Sequence, residues 1–83
     1  MAFVLYAVAT EKALGEIERK NVITLIVSPK ATKKDVAGEV EKQFNEKVVK
    51  VTFLTTPDGR KKSYVRFKKA GAAADVAAKL KIM

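Results

Sequence analysis

Apolar and polar residues alternate most regularly between Lys47 and Lys69, in two runs separated by Thr56-Pro57-Asp58-Gly59. Proline presets φ for a turn and glycine supplies the left-handed position after it, so the chain reverses here. Successive side chains on a strand point to opposite faces. Val48–Thr56 and Lys61–Lys69 are therefore expected to form a β-hairpin with Val49, Val51, Phe53, Val65 and Phe67 on one face. Lys50, Thr52, Tyr64, Arg66 and Lys68 take the other. One side joins a core; the other is cationic with an aromatic in its middle.

The rest of the chain resolves into short elements. Phe3–Val8 is apolar on both parities and reads as a strand. Thr10 suits a helix N-cap, and Ala13, Leu14 and Ile17 mark the buried stripe of a helix ending near Lys20. Asn21 tolerates the left-handed conformation that closes it. Val22–Val27 is β-rich and apolar except at Thr24, the pattern of an interior strand, and Ser28-Pro29 ends it. Thr32 and Asp35 make a capping-box pattern. Val36, Ala37, Val40 and Phe44 then recur at helical spacing, with Glu39, Glu41 and Lys42 expected to face outward. Beyond the hairpin, Gly71 breaks the strand, and Ala73, Val76, Ala77 and Leu80 predict a helix closing near Lys81. The order β-α-β-α-β-β-α predicts an α+β fold, one sheet with helices packed on it.

Length changes little: 83 residues suffice for one domain spanning 1–83 and one core. Composition excludes more. With no cysteine there is neither a disulfide framework nor a thiolate metal site, and with no histidine the commonest general base and zinc ligand are gone. The apolar start, Met1–Ala9, has no basic leader and is too short to span a bilayer, so a cytoplasmic protein without membrane insertion is expected. There is no nucleophile beside a base, no plausible carboxylate pair and no phosphate-binding glycine loop. These absences predict a non-enzyme with no cofactor, no metal and no small-molecule substrate.

Charge is the informative property. The chain carries a formal +8, and residues 1–46 balance seven basic against seven acidic side chains while residues 47–83 hold ten against two. An excess confined to the hairpin and the C-terminal helix points to a polyanionic partner. Arg60, Lys61 and Lys62 crowd the turn, and Lys50, Arg66 and Lys68 extend the stripe; such groups neutralise phosphates and release counterions. Tyr64 within it can stack on an unpaired base, or simply pack against Thr52 or Leu54. Lys30, Lys33 and Lys34 form a second basic group ahead of a helix, where plain solvation is the competing reading. Ser63-Tyr64-Val65-Arg66-Phe67 resembles the tail of the aromatic signature of RNA-recognition motifs, without its leading glycine and first aromatic. A small basic chromatin or other nucleic-acid-binding protein and a pure protein-interaction module stay open on these residues.

Thr10-Glu11-Lys12-Ala13, Ala31-Thr32-Lys33, Phe44 with Val49 and Val51, and Lys61-Lys62-Ser63-Tyr64-Val65 together resemble the large-subunit ribosomal protein twenty-three family, archaeal type, from Val8 to Leu80. The resemblance implies a four-stranded, mostly antiparallel sheet in the order 1-2-4-3. It implies a structural protein of the cytoplasmic ribosome that binds the third domain of large-subunit rRNA near the nascent-chain exit tunnel. It further implies contact with ribosomal protein twenty-nine and a docking site for the signal recognition particle and other nascent-chain factors. Glu11 matches a docking glutamate of bacterial members; the second docking acid falls at Asn45, leaving Glu46 nearby as its substitute. The long tunnel-lining loop of bacterial members is reduced here to the turn at Asp58-Gly59, which implies no tunnel-lining role. Ala7 replaces the family's proline and is expected to loosen the lead-in to the first helix.

Overall fold

The structure is a computed structural model that describes residues 3–80. Thr10 Oγ1 accepts from the Ala13 N–H at 3.2 Å and starts α1 (Glu11–Lys20). Thr32 and Asp35 each accept from the other's backbone N–H, at 3.1 and 3.0 Å, completing the capping box that starts α2 (Lys33–Phe44). Both helices end on asparagines at φ 56°, Asn21 and Asn45, residues that enter the left-handed region at little cost. Gly71 turns the chain into α3 (Ala72–Lys79); the closing residue expected near Lys81 lies outside the described residues.

Four strands, β1 (Val4–Ala7), β2 (Val22–Val27), β3 (Val48–Thr55) and β4 (Lys61–Phe67), pair antiparallel in the order β1-β2-β4-β3. The α+β class, element order and strand order are those expected, and β2 lies inside the sheet. The core fills one face: Ile23, Leu25 and Val27 of β2, Val65 and Phe67 of β4 and Val51 of β3 meet Val36, Val40 and Phe44 of α2 and the alanine-rich side of α3. Ile17 of α1 joins the same cluster. Alanines at 72, 73 and 77, all fully buried, let the backbone of α3 come close to its neighbours. Ser63 is also fully buried on this face, its hydroxyl without a hydrogen-bond partner among the described residues.

Two expectations are corrected. Val49 is not a core residue: a β-bulge between Val48 and Lys50 places Val48 opposite Phe67 and leaves Val49 60% exposed. One extra residue shifts every earlier side chain by one parity, so strict alternation fails there. Glu39 and Glu41 are not solvated acids on the outer side of α2. The Glu39 carboxylate accepts from the N–H groups of Phe3 and Val4, the latter at 2.7 Å, and Glu41 accepts from Val48 N–H at 2.9 Å. The helix thus holds the first amides of both outer strands. The lead-in to α1 is pinned as well, since Val8 N–H donates to Thr24 O at 2.9 Å.

Asn21 joins three elements at one point. Its backbone N–H caps α1 at Glu16 O, its Nδ2 donates to Phe67 O (3.1 Å) and Lys69 O (2.6 Å), and its Oδ1 accepts from Ala73 N–H in the first turn of α3 (2.9 Å). Gly71, lacking a side chain, cannot cap α3, and Asn21 does so from across the sequence. We expect Asn21→Ala to cost about 3 kcal/mol in urea unfolding, from lost hydrogen bonds and an unfavourable positive φ. Asn21→Gly, which keeps the backbone conformation, should cost about 2 kcal/mol. Equal losses would assign nothing to the backbone, and a glycine variant as stable as the parent would assign nothing to the side chain.

Candidate nucleic-acid interface

Among the described residues the face opposite the core carries no helix over β3 and β4, and strand register arranges its side chains in rows. Val22, Arg66 and Lys50 form one row; Thr24, Tyr64 and Thr52 the next; Tyr6, Ile26, Lys62 and Leu54 the third. Lys50, Arg66, Thr52 and Leu54 are exposed, while Lys62 and Tyr64 are half-buried. Lys68, just past β4, is exposed too. Tyr64 therefore lies between two threonines with cations in the rows on either side, and Thr52, one of its expected packing partners, is its direct neighbour. The first turns of α1 border this face, where Lys12, Ala13 and Glu16 line a shallow cavity with Thr24, Lys62 and Tyr64.

Lys61 does not join the stripe. It opens β4 on the core parity, where its Nζ donates to Ala31 O at 2.7 Å and sits 4.1 Å from the centre of the Phe53 ring. Its charge closes the β2–α2 loop onto the hairpin instead of standing free, because adjacent residues on a strand face opposite ways. That contact brings Lys30, Lys33 and Lys34, all exposed, to the end of the sheet at which the hairpin turns. Arg60 stands at the same end. Glu11 and Glu46 are not brought together: Glu11 opens α1, which packs on β2, whereas Glu46 leads into β3, the outer strand on the other side. Sequence reasoning missed Tyr6, which lies on the same face as Tyr64, 48% exposed; its hydroxyl accepts from Arg60 at 3.2 Å. Only parity could have found it, and β1 is apolar on both.

The turn is built tightly. Gly59 N–H donates to Thr56 O at 3.0 Å, Thr56 N–H to Arg60 O at 2.8 Å, and Gly59 takes φ 91°. The Thr56 hydroxyl donates to the Asp58 carboxylate, which also pairs with Arg60 Nε at 3.2 Å. Among the described residues no acid cluster could hold a metal ion, and no helix is long and apolar enough to cross a membrane.

A family model described as Ribosomal protein L23 matches residues 2–81. The chain belongs to the ribosomal protein L23 family. An archaeal relative from Pyrobaculum aerophilum, named large ribosomal subunit protein uL23, is 51% identical over 76 residues, covering 92% of this chain and 94% of the relative. This L23-family chain is thus a structural component of the ribosome and not an enzyme.

The turn makes one measurable claim. The hydrogen bond from Thr56, followed by the Arg60 N–H and guanidinium, holds the Asp58 carboxyl below its ordinary 3.8. A folded group more acidic than its unfolded counterpart stabilises above the ordinary value and loses that contribution as pH falls through the folded one. An NMR titration should place the Asp58 midpoint below 3.8, and Thr56→Val should move it back up. An unmoved midpoint in the valine variant would remove the hydroxyl as the main cause.

Proposed function

We propose that this chain is an rRNA-binding protein of the large ribosomal subunit, a single RNA-binding unit that lays its open sheet face on folded RNA. The row-by-row alignment of Lys50, Lys62, Arg66 and Tyr64 on a face that, among the described residues, has no helix over its outer half carries this reading. Arg60 and Lys68 lengthen the track, and Lys30, Lys33 and Lys34 extend it at the turn end; Lys61 supports the turn from behind. Phosphate contacts set position and affinity, and Tyr64 offers an aromatic plane to an unpaired base or a ribose. Family membership supports a place near the nascent-chain exit tunnel, beside ribosomal protein twenty-nine and within reach of the signal recognition particle. The turn at Asp58-Gly59 is too short to line the tunnel. Glu11, exposed at the start of α1, is the docking acid of this reading, with Glu46 a separate contact on the other side of the sheet.

If about six phosphates are engaged, affinity for an rRNA fragment falls roughly a thousandfold between 50 and 200 mM salt. Replacing Lys62 and Arg66 together with glutamate should abolish binding while circular dichroism stays unchanged, and duplex DNA should compete poorly. A flat salt response, or retained binding by the double variant, would remove this face from the contact. Glu11→Lys should weaken recruitment of the signal recognition particle to assembled ribosomes without altering rRNA binding; unaltered recruitment would discard Glu11.

A further inference from the structure

Where β1 approaches the hairpin turn, the open face dips into a cleft of about 540 Å³ lined by Tyr6, Val8, Ile26, Pro57, Arg60 and Lys62, among others. Ile26 forms part of its floor, 4% exposed although outside the main core, and Tyr6 forms an aromatic wall. The rim is cationic. Arg60 has contacts on two sides, its Nε on Asp58 at 3.2 Å and its Nη1 on the Tyr6 hydroxyl at 3.2 Å, which orient the exposed guanidinium along the rim with its remaining N–H groups available. Asp58, the acid at the rim, is already engaged by Thr56 and Arg60.

We propose that this cleft receives one unstacked nucleobase of the rRNA, lying against the Tyr6 ring with its phosphate on Arg60 and Lys62. This rests on the reading of the chain as an rRNA-binding protein and adds to it a nucleotide-sized subsite. The chemistry selects the occupant. An apolar floor and an aromatic wall accept any π-face, whereas the cations require an anion one linkage away; a nucleotide supplies both. A base within a duplex presents only its edge to a groove and cannot enter a concave site. The nucleotide is therefore unpaired, at a bulge, loop or junction. The Tyr6–Arg60 hydrogen bond sets the aromatic wall beside the cationic rim, and the Asp58 pair keeps Arg60 at the rim independently of the Tyr6 hydroxyl.

The test uses the full chain and a transcript of the third domain of large-subunit rRNA from Pyrobaculum aerophilum. Ultraviolet irradiation of the unaltered complex should crosslink Tyr6 to a single nucleotide. Tyr6→Leu should bind roughly tenfold more weakly, the order expected for one lost base stack, with an unchanged dependence on salt. Tyr6→Trp should bind as the parent does. Tyr6 is half exposed, so these variants fold; circular dichroism checks it. Parental affinity for Tyr6→Leu, with Arg66→Glu still deficient, overturns the subsite and leaves RNA binding by the open face standing. A loss in Tyr6→Leu accompanied by a shallower salt dependence overturns stacking in favour of a phosphate contact. Parental binding by both Tyr6→Leu and Arg66→Glu overturns the two readings together.

Discussion

A single amide side chain holds the architecture in register. Asn21 must take a positive φ for α1 to stop and β2 to begin, and the same conformation aims its side chain at the β4–α3 connection. Two carbonyls leaving β4 and one amide entering α3 are satisfied by it; the Phe67 carbonyl and the Ala73 amide are part-buried and would otherwise cost about 1–3 kcal/mol apiece, while the Lys69 carbonyl is exposed. Because β4 pairs with both β2 and β3, fixing where it ends fixes the placement of every row on the open face. The cationic stripe is thus positioned from behind, by a residue that carries no charge.

Helix α2 completes that arrangement. Its apolar stripe buries against the sheet while Glu39 and Glu41, on its flanks, catch the leading amides of β1 and β3. Anchoring the sheet from the core side leaves the other side with few obligations of its own. The ion pair of Arg60 with Asp58 stands at the turn, beyond the rows of the open face. Lys61 shows the opposite case, a cation in the most basic run of the chain whose ammonium is turned inward to carbonyls and a ring.

Much of this was legible from residue order. Helix caps at Thr10 and Thr32, the asparagine closures, the limits of β2 and the turn at Pro57-Asp58-Gly59 depend on neighbours in sequence, and they appear where local chemistry puts them. The hairpin faces followed from parity until the bulge at Val49, whose cause is pairing with β4 and leaves no local mark. The long-range bonds of Glu39 and Asn21 were hidden for the same reason, their partners lying up to 52 residues away, and that of Glu41 because it crosses from helix to strand. At the interface, Lys50, Arg66 and Lys68 stood out as an alternating cationic series. Parity alone would have turned Lys61 inward, had charge not drawn it into the stripe. Tyr6 was obscured by an apolar neighbourhood that hid which of its faces was covered.

The bulge at Val49 also bears on the outer border of the sheet. A sheet that ends in a long, regular strand offers a template on which a second molecule can add. Here β3 is kinked at Val49 and flanked by Lys47 and Lys50, and β1 spans only four residues with its own irregularity at Leu5. The regular run of the β3 border therefore begins only at Lys50, past the bulge, and that of β1 is shorter still. The same kink that spoiled a simple alternation thus shortens the straight border on which a second molecule could add a strand.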